Sequence, residues 1–198
     1  MEIRYENKKN RIIREGSRLG GDFRSMNLIV TCARHLEPET EEELKSILKK
    51  YGDSDANIIV TNMSGILTAE TKLDPVDAVK KMKEMLLDEP WSIRYCLRII
   101  PIQRIVETDI EEIEKIIIED SKQILDTETY RISIEKRNSN ISSQEIISKI
   151  ANKIKNKVSL EFPDKIILIE ILGNKTGISV LKKADILSVE KTKRSMSE

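Results

Sequence analysis

Histidine, cysteine and aromatic residues are scarce in this chain, which has one histidine, two cysteines, one tryptophan, four tyrosines and two phenylalanines. A nucleophilic triad needs a base, and His35, three residues after Cys32, has no evident orienting partner. Two cysteines are too few for a disulfide framework or a zinc site, and so few aromatic rings argue against a base-stacking surface. We therefore expect neither a self-contained enzyme nor a metal site.

Long apolar runs and glycine-rich phosphate loops are missing as well. No stretch approaches the roughly 20 apolar residues of a membrane helix, and no signal segment is visible, so we expect a cytoplasmic protein with no membrane partner. The segment from Gly173 to Gly177, G-N-K-T-G, lacks phosphate-loop spacing and predicts a hairpin turn. No glycine pattern suits the pyrophosphate of acetyl-CoA, and we expect no cofactor.

Charge is balanced overall but unevenly distributed. Residues 26–129 hold 13 basic and 22 acidic side chains, a net charge of −9, whereas residues 130–183 hold 11 basic and 5 acidic, a net charge of +6. Local charge governs attraction to phosphate, so the second half is the candidate for binding nucleic acid. The alternative is a face of ordinary solvated lysines.

The first half predicts a ferredoxin-like domain. Apolar runs predict strands at 28–33, 57–61, 66–71 and 91–100, and amphipathic patterns predict helices at 38–51 and from Asp74-Pro75 to the residue before Pro90. The order β-α-β-β-α-β makes the first and last strands neighbours. Arg94 and Arg98 alternate with apolar residues, so they lie on the other face of the strand. We expect them to contact RNA or the second domain, or to form ion pairs with nearby acidic residues. Cys32 and Cys96 are expected on opposite faces of the sheet.

The second half predicts a βαβ unit followed by a hairpin. A linker at 101–106 precedes a helix at 108–125 with Thr108 as its cap, and Tyr130 to Lys136 alternates as a half-buried strand. A capping box, Ser142 with Glu145, opens a helix whose apolar stripe continues to Val158. Strands at 166–172 and 177–181 complete a sheet of mixed direction.

Basic and amide side chains of the second half form the predicted RNA surface. A charged fork beside amides at a strand end can meet phosphate and ribose hydroxyls, and lysines spaced by four share a helix face. Arg137→Glu should then weaken tRNA binding without disturbing the fold. The predicted RNA-binding residues are Lys136, Arg137, Asn138, Asn140, Lys149, Lys153, Lys157, Lys182 and Lys183, with Arg94 and Arg98 from the first half.

The order of these features resembles the THUMP domain, an RNA-binding module of tRNA-modifying enzymes. The resemblance rests on K-R-N at a strand end, the S-x-x-E helix start, Phe162-Pro163-Asp164, an apolar strand and G-I-S-V-L, over about residues 106–183. A run from Arg94 to Ile102, R-Y-x-x-R-x-x-P-I, is similar to standalone THUMP proteins that serve as adaptors for the tRNA cytidine acetyltransferase. This resemblance implies a mixed α/β fold with two domains.

The resemblance also implies a function. The chain would bind tRNA, at its acceptor stem and 3′ end, and present it to a separate acetyltransferase that forms N4-acetylcytidine. One alternative is an accessory to a methylase or thiolation enzyme; another is a protein-interaction module without RNA. The expected organisation is a flexible or non-native leader at 1–25, the ferredoxin-like domain at 26–105, the THUMP domain at 106–185 and a frayed tail at 186–198.

Overall fold

The chain folds into two β-sheets, each covered on one face by helices. The computed structural model describes residues 25–196, so the predicted leader, apart from Ser25, lies outside the described residues. The elements are β1 Leu28–Cys32, α1 Glu37–Lys50, β2 Asn57–Val60, β3 Ile66–Glu70, α2 Pro75–Asp88, β4 Cys96–Pro101, β5 Arg104–Glu107, α3 Ile110–Asp120, β6 Tyr130–Arg137, α4 Ser143–Ala151, β7 Lys165–Leu172, β8 Lys175–Leu181, β9 Leu187–Ser188 and α5 Val189–Arg194, with 3-10 turns at Ser121–Gln123 and Lys183–Asp185.

The first sheet has the strand order β2-β3-β1-β4-β9, with all neighbours antiparallel. Its first four strands, with α1 and α2, form the predicted ferredoxin-like arrangement, and β1 lies beside β4 as expected. The start of α2 is set locally, because the Asp74 side chain accepts a hydrogen bond from the Asp77 N–H and Pro75 occupies the first turn. Among the described residues, no helix is long and apolar enough to cross a membrane.

The predicted placement of the two cysteines is wrong. In β4, Arg98 lies opposite Thr31 and Cys96 lies opposite Cys32, so Leu97 is the extra residue of a β-bulge. The bulge changes the alternation, and Cys96 therefore joins Cys32 in the cluster under the helices. Both thiols are free and buried, and burial is the main cause that raises the pKa of each.

The predicted frayed tail is ordered in its described part. Leu187 and Ser188 pair with β4 as the fifth strand of the first sheet, and α5 then packs against α2. Leu187 is fully buried and Val189 nearly so. A two-residue strand is too short to show a period in the sequence, and its burial comes entirely from tertiary contacts.

The second sheet has the order β5-β8-β7-β6 and is mixed as predicted, because β6 and β7 are parallel while the other pairs are antiparallel. The predicted linker at 101–106 is instead the end of β4 and most of β5. The helix cap also differs from the prediction: Asp109, not Thr108, accepts hydrogen bonds from the backbone at the start of α3. The Thr108 hydroxyl bonds to the Thr176 hydroxyl of β8.

Helix α4 is shorter than its apolar stripe suggests. Its Ser142 cap is confirmed, but the helix ends at Ala151 rather than running to Val158. The Asn156 side chain donates to the carbonyl groups of Leu125 and Glu128, and the chain then runs beside Tyr130. These long-range bonds hold the segment away from a helical path.

A third apolar cluster joins the two sheets. It combines Ile29 and Ile100 of the first sheet with Ile166, Leu168 and other side chains of the second. A Cβ at position 177 would lie 3.0 Å from two side-chain atoms of Ile102, so the glycine of β8 allows close approach here. The Ser179 hydroxyl donates to the Pro101 carbonyl over 2.9 Å. The two halves are therefore packed together, not joined by a flexible tether.

Candidate nucleic-acid interface

A cleft of about 700 Å³ lies between the two sheets. Its walls come from α2, β4, β6 and β7 and from the segment that follows β8, so both halves of the chain contribute. The described residues that line it include five cations and a single acid, Glu135. The cations are Lys83, Arg98, Arg131, Lys183 and Lys191.

The pleat of β6 supplies one wall of the cleft. Arg131, Ser133 and Glu135 are alternate residues, so their side chains project from the same face of the strand. Arg137 continues that face beyond Glu135. The opposite face of β6, with Ile132 and Ile134, packs against the cluster under α3 and α4.

The ordered end of the chain supplies the other wall. Pairing of Ser188 with Arg98 fixes β9 at the sheet edge, and α5 then carries Lys191 and Thr192 along the cleft. Lys183 enters from the 3-10 turn after β8. Because β9 is fixed by hydrogen bonds to β4, these cations are held on a packed wall rather than on a free tail.

The chemistry of the cleft suits a phosphate backbone. Two guanidinium groups can each donate paired hydrogen bonds to phosphate, and three ammonium groups add point charges. The hydroxyl groups of Ser133, Ser188 and Thr192 can form hydrogen bonds with phosphate or ribose oxygens. Ile166 and Ile186 are apolar residues of the cleft lining. Such contacts position a strand without reading its bases.

Beside the cleft, β7 carries a buried carboxyl group. Glu170 is 1% exposed, and its Oε2 lies 3.3 Å from an Nη atom of Arg137. Burial raises the pKa of Glu170 to about 7, although the positive charges of Arg98 and Arg137 oppose that rise. Its other oxygen, Oε1, has no hydrogen-bond partner in the described structure. No local sequence pattern indicates a buried acid at this position.

The predicted loop after β6 folds back on itself. Lys136 is exposed, and its Nζ donates to the Ile141 carbonyl over 3.0 Å. Asn138 has a positive φ of 52°, a conformation that asparagine tolerates better than most residues, and Asn140 is exposed. The Arg137 guanidinium pairs with Glu170, and its side chain is 31% exposed. Residues 136–141 are not among the residues that line the cleft, so the structure does not place this loop in the cleft wall.

Three lysines predicted to share a helix face, Lys149, Lys153 and Lys157, lie on different parts of the structure. Lys149 lies on α4, on the side of the second sheet opposite to the cleft, and Lys153 lies beyond the helix and pairs with Glu114 of α3. Lys157 is exposed on the segment beside Tyr130. The predicted shared helix face of these three lysines is therefore wrong, because the helix ends at Ala151.

The remaining predicted residues also separate. Lys182 and Lys183 follow β8, and Lys183 lines the cleft with Arg98. Arg94 is exposed in the segment before β4, where its backbone N–H donates to the Glu43 carboxylate over 2.6 Å. Sequence reasoning missed Lys83, Arg131 and Lys191. The alternation along β6 could have identified Arg131, but only the fold brings the two lysines to it.

Comparison with known families identifies the second half of the chain. Residues 107–181 match the model of the THUMP domain, so the chain carries a THUMP domain at this position. The resemblance over about residues 106–183 is confirmed. No curated protein matches the chain.

Solved structures share the wider fold. PH1313 from Pyrococcus horikoshii superposes with a TM-score of 0.58 at 20% identity, over 79% of this chain and 55% of that one. A 4-thiouridine synthetase in complex with RNA and ATP gives 0.54 at 15% identity, over 83% and 42% of the two chains. TrmN from Thermus thermophilus gives 0.53 at 13% identity, over 78% and 45%. This chain thus spans about half the length of these proteins, and the likeness establishes the fold.

Proposed function

We propose that this THUMP-containing chain is a cytoplasmic adaptor that binds tRNA and presents it to a separate cytidine acetyltransferase, which forms N4-acetylcytidine. The observation that carries the proposal is the cationic cleft, which the THUMP domain and the ferredoxin-like sheet build together. A binding protein of this kind raises the effective concentration of substrate at its partner's active site without chemistry of its own.

The chemistry of the cleft supports the acceptor stem and 3′ end of tRNA as its ligand. A cleft of about 700 Å³ with cations on both walls can hold a single-stranded end through contacts to its backbone. One protein of similar fold is a 4-thiouridine synthetase bound to RNA. The resemblance of the run from Arg94 to Ile102 to the acetyltransferase adaptors supports the choice of partner.

An apolar surface beside the cleft suits that partner enzyme. Val158, Leu160 and Phe162 are 50%, 73% and 84% exposed on the segment before β7. The segment adjoins the cleft, since Arg131 donates to the Leu160 carbonyl over 3.4 Å. An enzyme that approaches the held RNA from this side would meet these side chains, and exposed apolar side chains on an ordered segment favour protein association.

Phe162→Ser tests this surface. The variant should no longer capture the acetyltransferase from solution. Its tRNA affinity should stay within about twofold of wild type, because Phe162 is uncharged and does not line the cleft. Capture unchanged in the variant would remove the segment from the partner interface.

The alternative partner is a thiolation or methylation enzyme, and the fold shared with a 4-thiouridine synthetase favours it. Purification of the chain with its native partners decides between them. A protein-interaction module without RNA remains the third possibility, and it predicts oligomers and no saturable tRNA binding.

The primary experiment is a titration with tRNA followed by fluorescence anisotropy at several salt concentrations, beside the same tRNA without its single-stranded 3′ end. The proposal expects tight binding that weakens with salt and depends on that end. Equal, weak binding to both RNAs would reject tRNA presentation and favour the protein-interaction module.

A further inference from the structure

The buried carboxyl group of Glu170 lies where charges from both halves of the chain meet. On β7 it shares a face with Ile166, Leu168 and Leu172, which form the apolar cluster between the sheets. It is therefore an ionisable group on an otherwise apolar face. A charge in such a place is costly unless it is paired.

Its pairing is incomplete. Arg137 makes one contact, at 3.3 Å, with Oε2, whereas Oε1 has no partner among the described residues. The charged groups that face the carboxyl group are Arg137 and Glu135 from β6 and Arg98 from β4, and β8 places Gly177 opposite it. Two of these groups, Arg98 and Glu135, also line the cleft.

An RNA phosphate in the cleft competes with Glu170 for the same guanidinium groups. A phosphate near Arg98 or Arg137 adds negative charge beside the carboxylate. It also shares the positive charge of these arginines, which otherwise stabilises the ionised carboxylate alone. Protonation removes the buried charge, while the carbonyl oxygen of the neutral carboxyl group can still accept a hydrogen bond from Arg137 and hold it beside the cleft. Like charges in one site raise the affinity of the carboxylate for a proton.

We propose that Glu170 is a proton-linked positioning residue, which anchors Arg137 beside the cleft and takes up a proton from solvent when RNA phosphate engages Arg98 or Arg137. The inference rests on the proposed tRNA binding and adds a regulation of that site. The step forms one O–H bond on the carboxyl group and breaks none in the RNA. Burial raises the pKa of Glu170 to about 7, so its carboxyl group gains or loses its proton near neutral pH.

The sign of the pH dependence follows from linkage. If the RNA complex binds more protons than the free protein, affinity rises as pH falls. Wild type should therefore bind tRNA about three- to tenfold more tightly at pH 6 than at pH 8, for uptake of up to one proton. Glu170→Gln, which resembles the protonated side chain, should bind equally at both pH values, with an affinity close to that of wild type at pH 6.

Two further variants separate the roles. Glu170→Ala removes the anchor for Arg137 and should bind more weakly than Glu170→Gln at both pH values. His35 is the sole histidine of the chain, so His35→Asn is the matched control for a pH dependence that comes from histidine. Asparagine tolerates the positive φ of 71° at this position. His35→Asn should keep the wild-type pH dependence.

Calorimetry of tRNA binding near pH 7.5, in two buffers of different ionisation enthalpy, measures the proton directly. Uptake by wild type and none by Glu170→Gln supports the inference. Saturable wild-type binding without pH dependence or proton uptake overturns the role of Glu170 and leaves the proposed tRNA binding intact. Proton uptake that persists in Glu170→Gln has the same consequence. Equal affinities of the Gln and Ala variants refute the anchoring of Arg137. Absence of saturable tRNA binding overturns the proposed function, and the inference with it.

Discussion

Replacing Arg98 and Arg131 together by glutamine tests the cleft most directly. The two arginines come from different sheets but line the same cleft, so a strand bound there contacts both. Both side chains are partly exposed, and neither belongs to the buried clusters that hold the fold together. The double variant should therefore fold normally and bind tRNA more weakly.

The magnitude follows from counterion release. Each lost phosphate contact makes the plot of log affinity against log salt shallower by about 0.7 for a single strand and by about 0.9 for a duplex. Two lost contacts reduce the slope by about 1.4 to 1.8. If affinity extrapolated to 1 M salt is unchanged, binding weakens by about 60- to 200-fold near 50 mM salt and by about 10- to 20-fold near 200 mM.

The matched control removes the same charge elsewhere. Lys149 and Lys157 belong to the set predicted from sequence but not to the residues that line the cleft. Lys149→Gln with Lys157→Gln should leave both affinity and salt slope nearly unchanged. Anisotropy titrations at four salt concentrations measure both quantities, with circular dichroism to check the fold. If the control loses slope and the cleft variant does not, the cleft assignment is wrong.

Two stability predictions follow from the packing. Gly65→Ala should lower the free energy of unfolding in urea by about 1–3 kcal/mol, because φ is +74° and the new Cβ would lie 2.7 Å from a backbone carbonyl oxygen. Gly52→Ala, with φ of +95° and nothing within 4 Å of the new Cβ, should lower it less. The reverse order would contradict the steric argument. Leu187→Ala should cost about 2–5 kcal/mol because the side chain is fully buried, whereas Leu125→Ala, 64% exposed, should change stability by under about 0.5 kcal/mol. Equal, small effects of both would show that the segment after β8 does not pack.

The structure also changes the expected effect of Arg137→Glu. The sequence treats Arg137 as a solvent-facing fork, so the substitution should spare the fold. In the structure Arg137 pairs with buried Glu170, and a glutamate there would bring two carboxyl groups together. A loss of RNA binding in that variant would mix local repulsion with a lost contact. Arg98 acts on Glu170 through its charge and forms no ion pair with it in the described structure, so Arg98 and Arg131 are the better test.

Elements with a strong local cause were predictable. The alternation along β6, the Asp74-Pro75 start of α2 and the Ser142 cap of α4 each depend on neighbours within a few residues. The order of these elements was enough to indicate the ferredoxin-like arrangement and the THUMP domain. Local propensity and burial agree at these positions, so the sequence reads unambiguously.

Elements that depend on distant partners were not predictable. The bulge at Leu97 is fixed by pairing with β1, and it places Cys96 on the same face of the sheet as Cys32. Helix α4 ends early because Asn156 bonds to carbonyl groups about 30 residues away in sequence, at Leu125 and Glu128. In each case a tertiary contact overrides the local pattern.

The sequence by itself determined the two domain types and the presence of a basic half. Only the tertiary structure decided where the candidate site lies. Arg98, Arg131 and Lys191 are far apart in the chain, and they meet because β9 pairs with β4 and the two sheets pack through a common apolar cluster. Charge is a property of composition, but a cleft is a property of packing, and the position of a phosphate site depends on both.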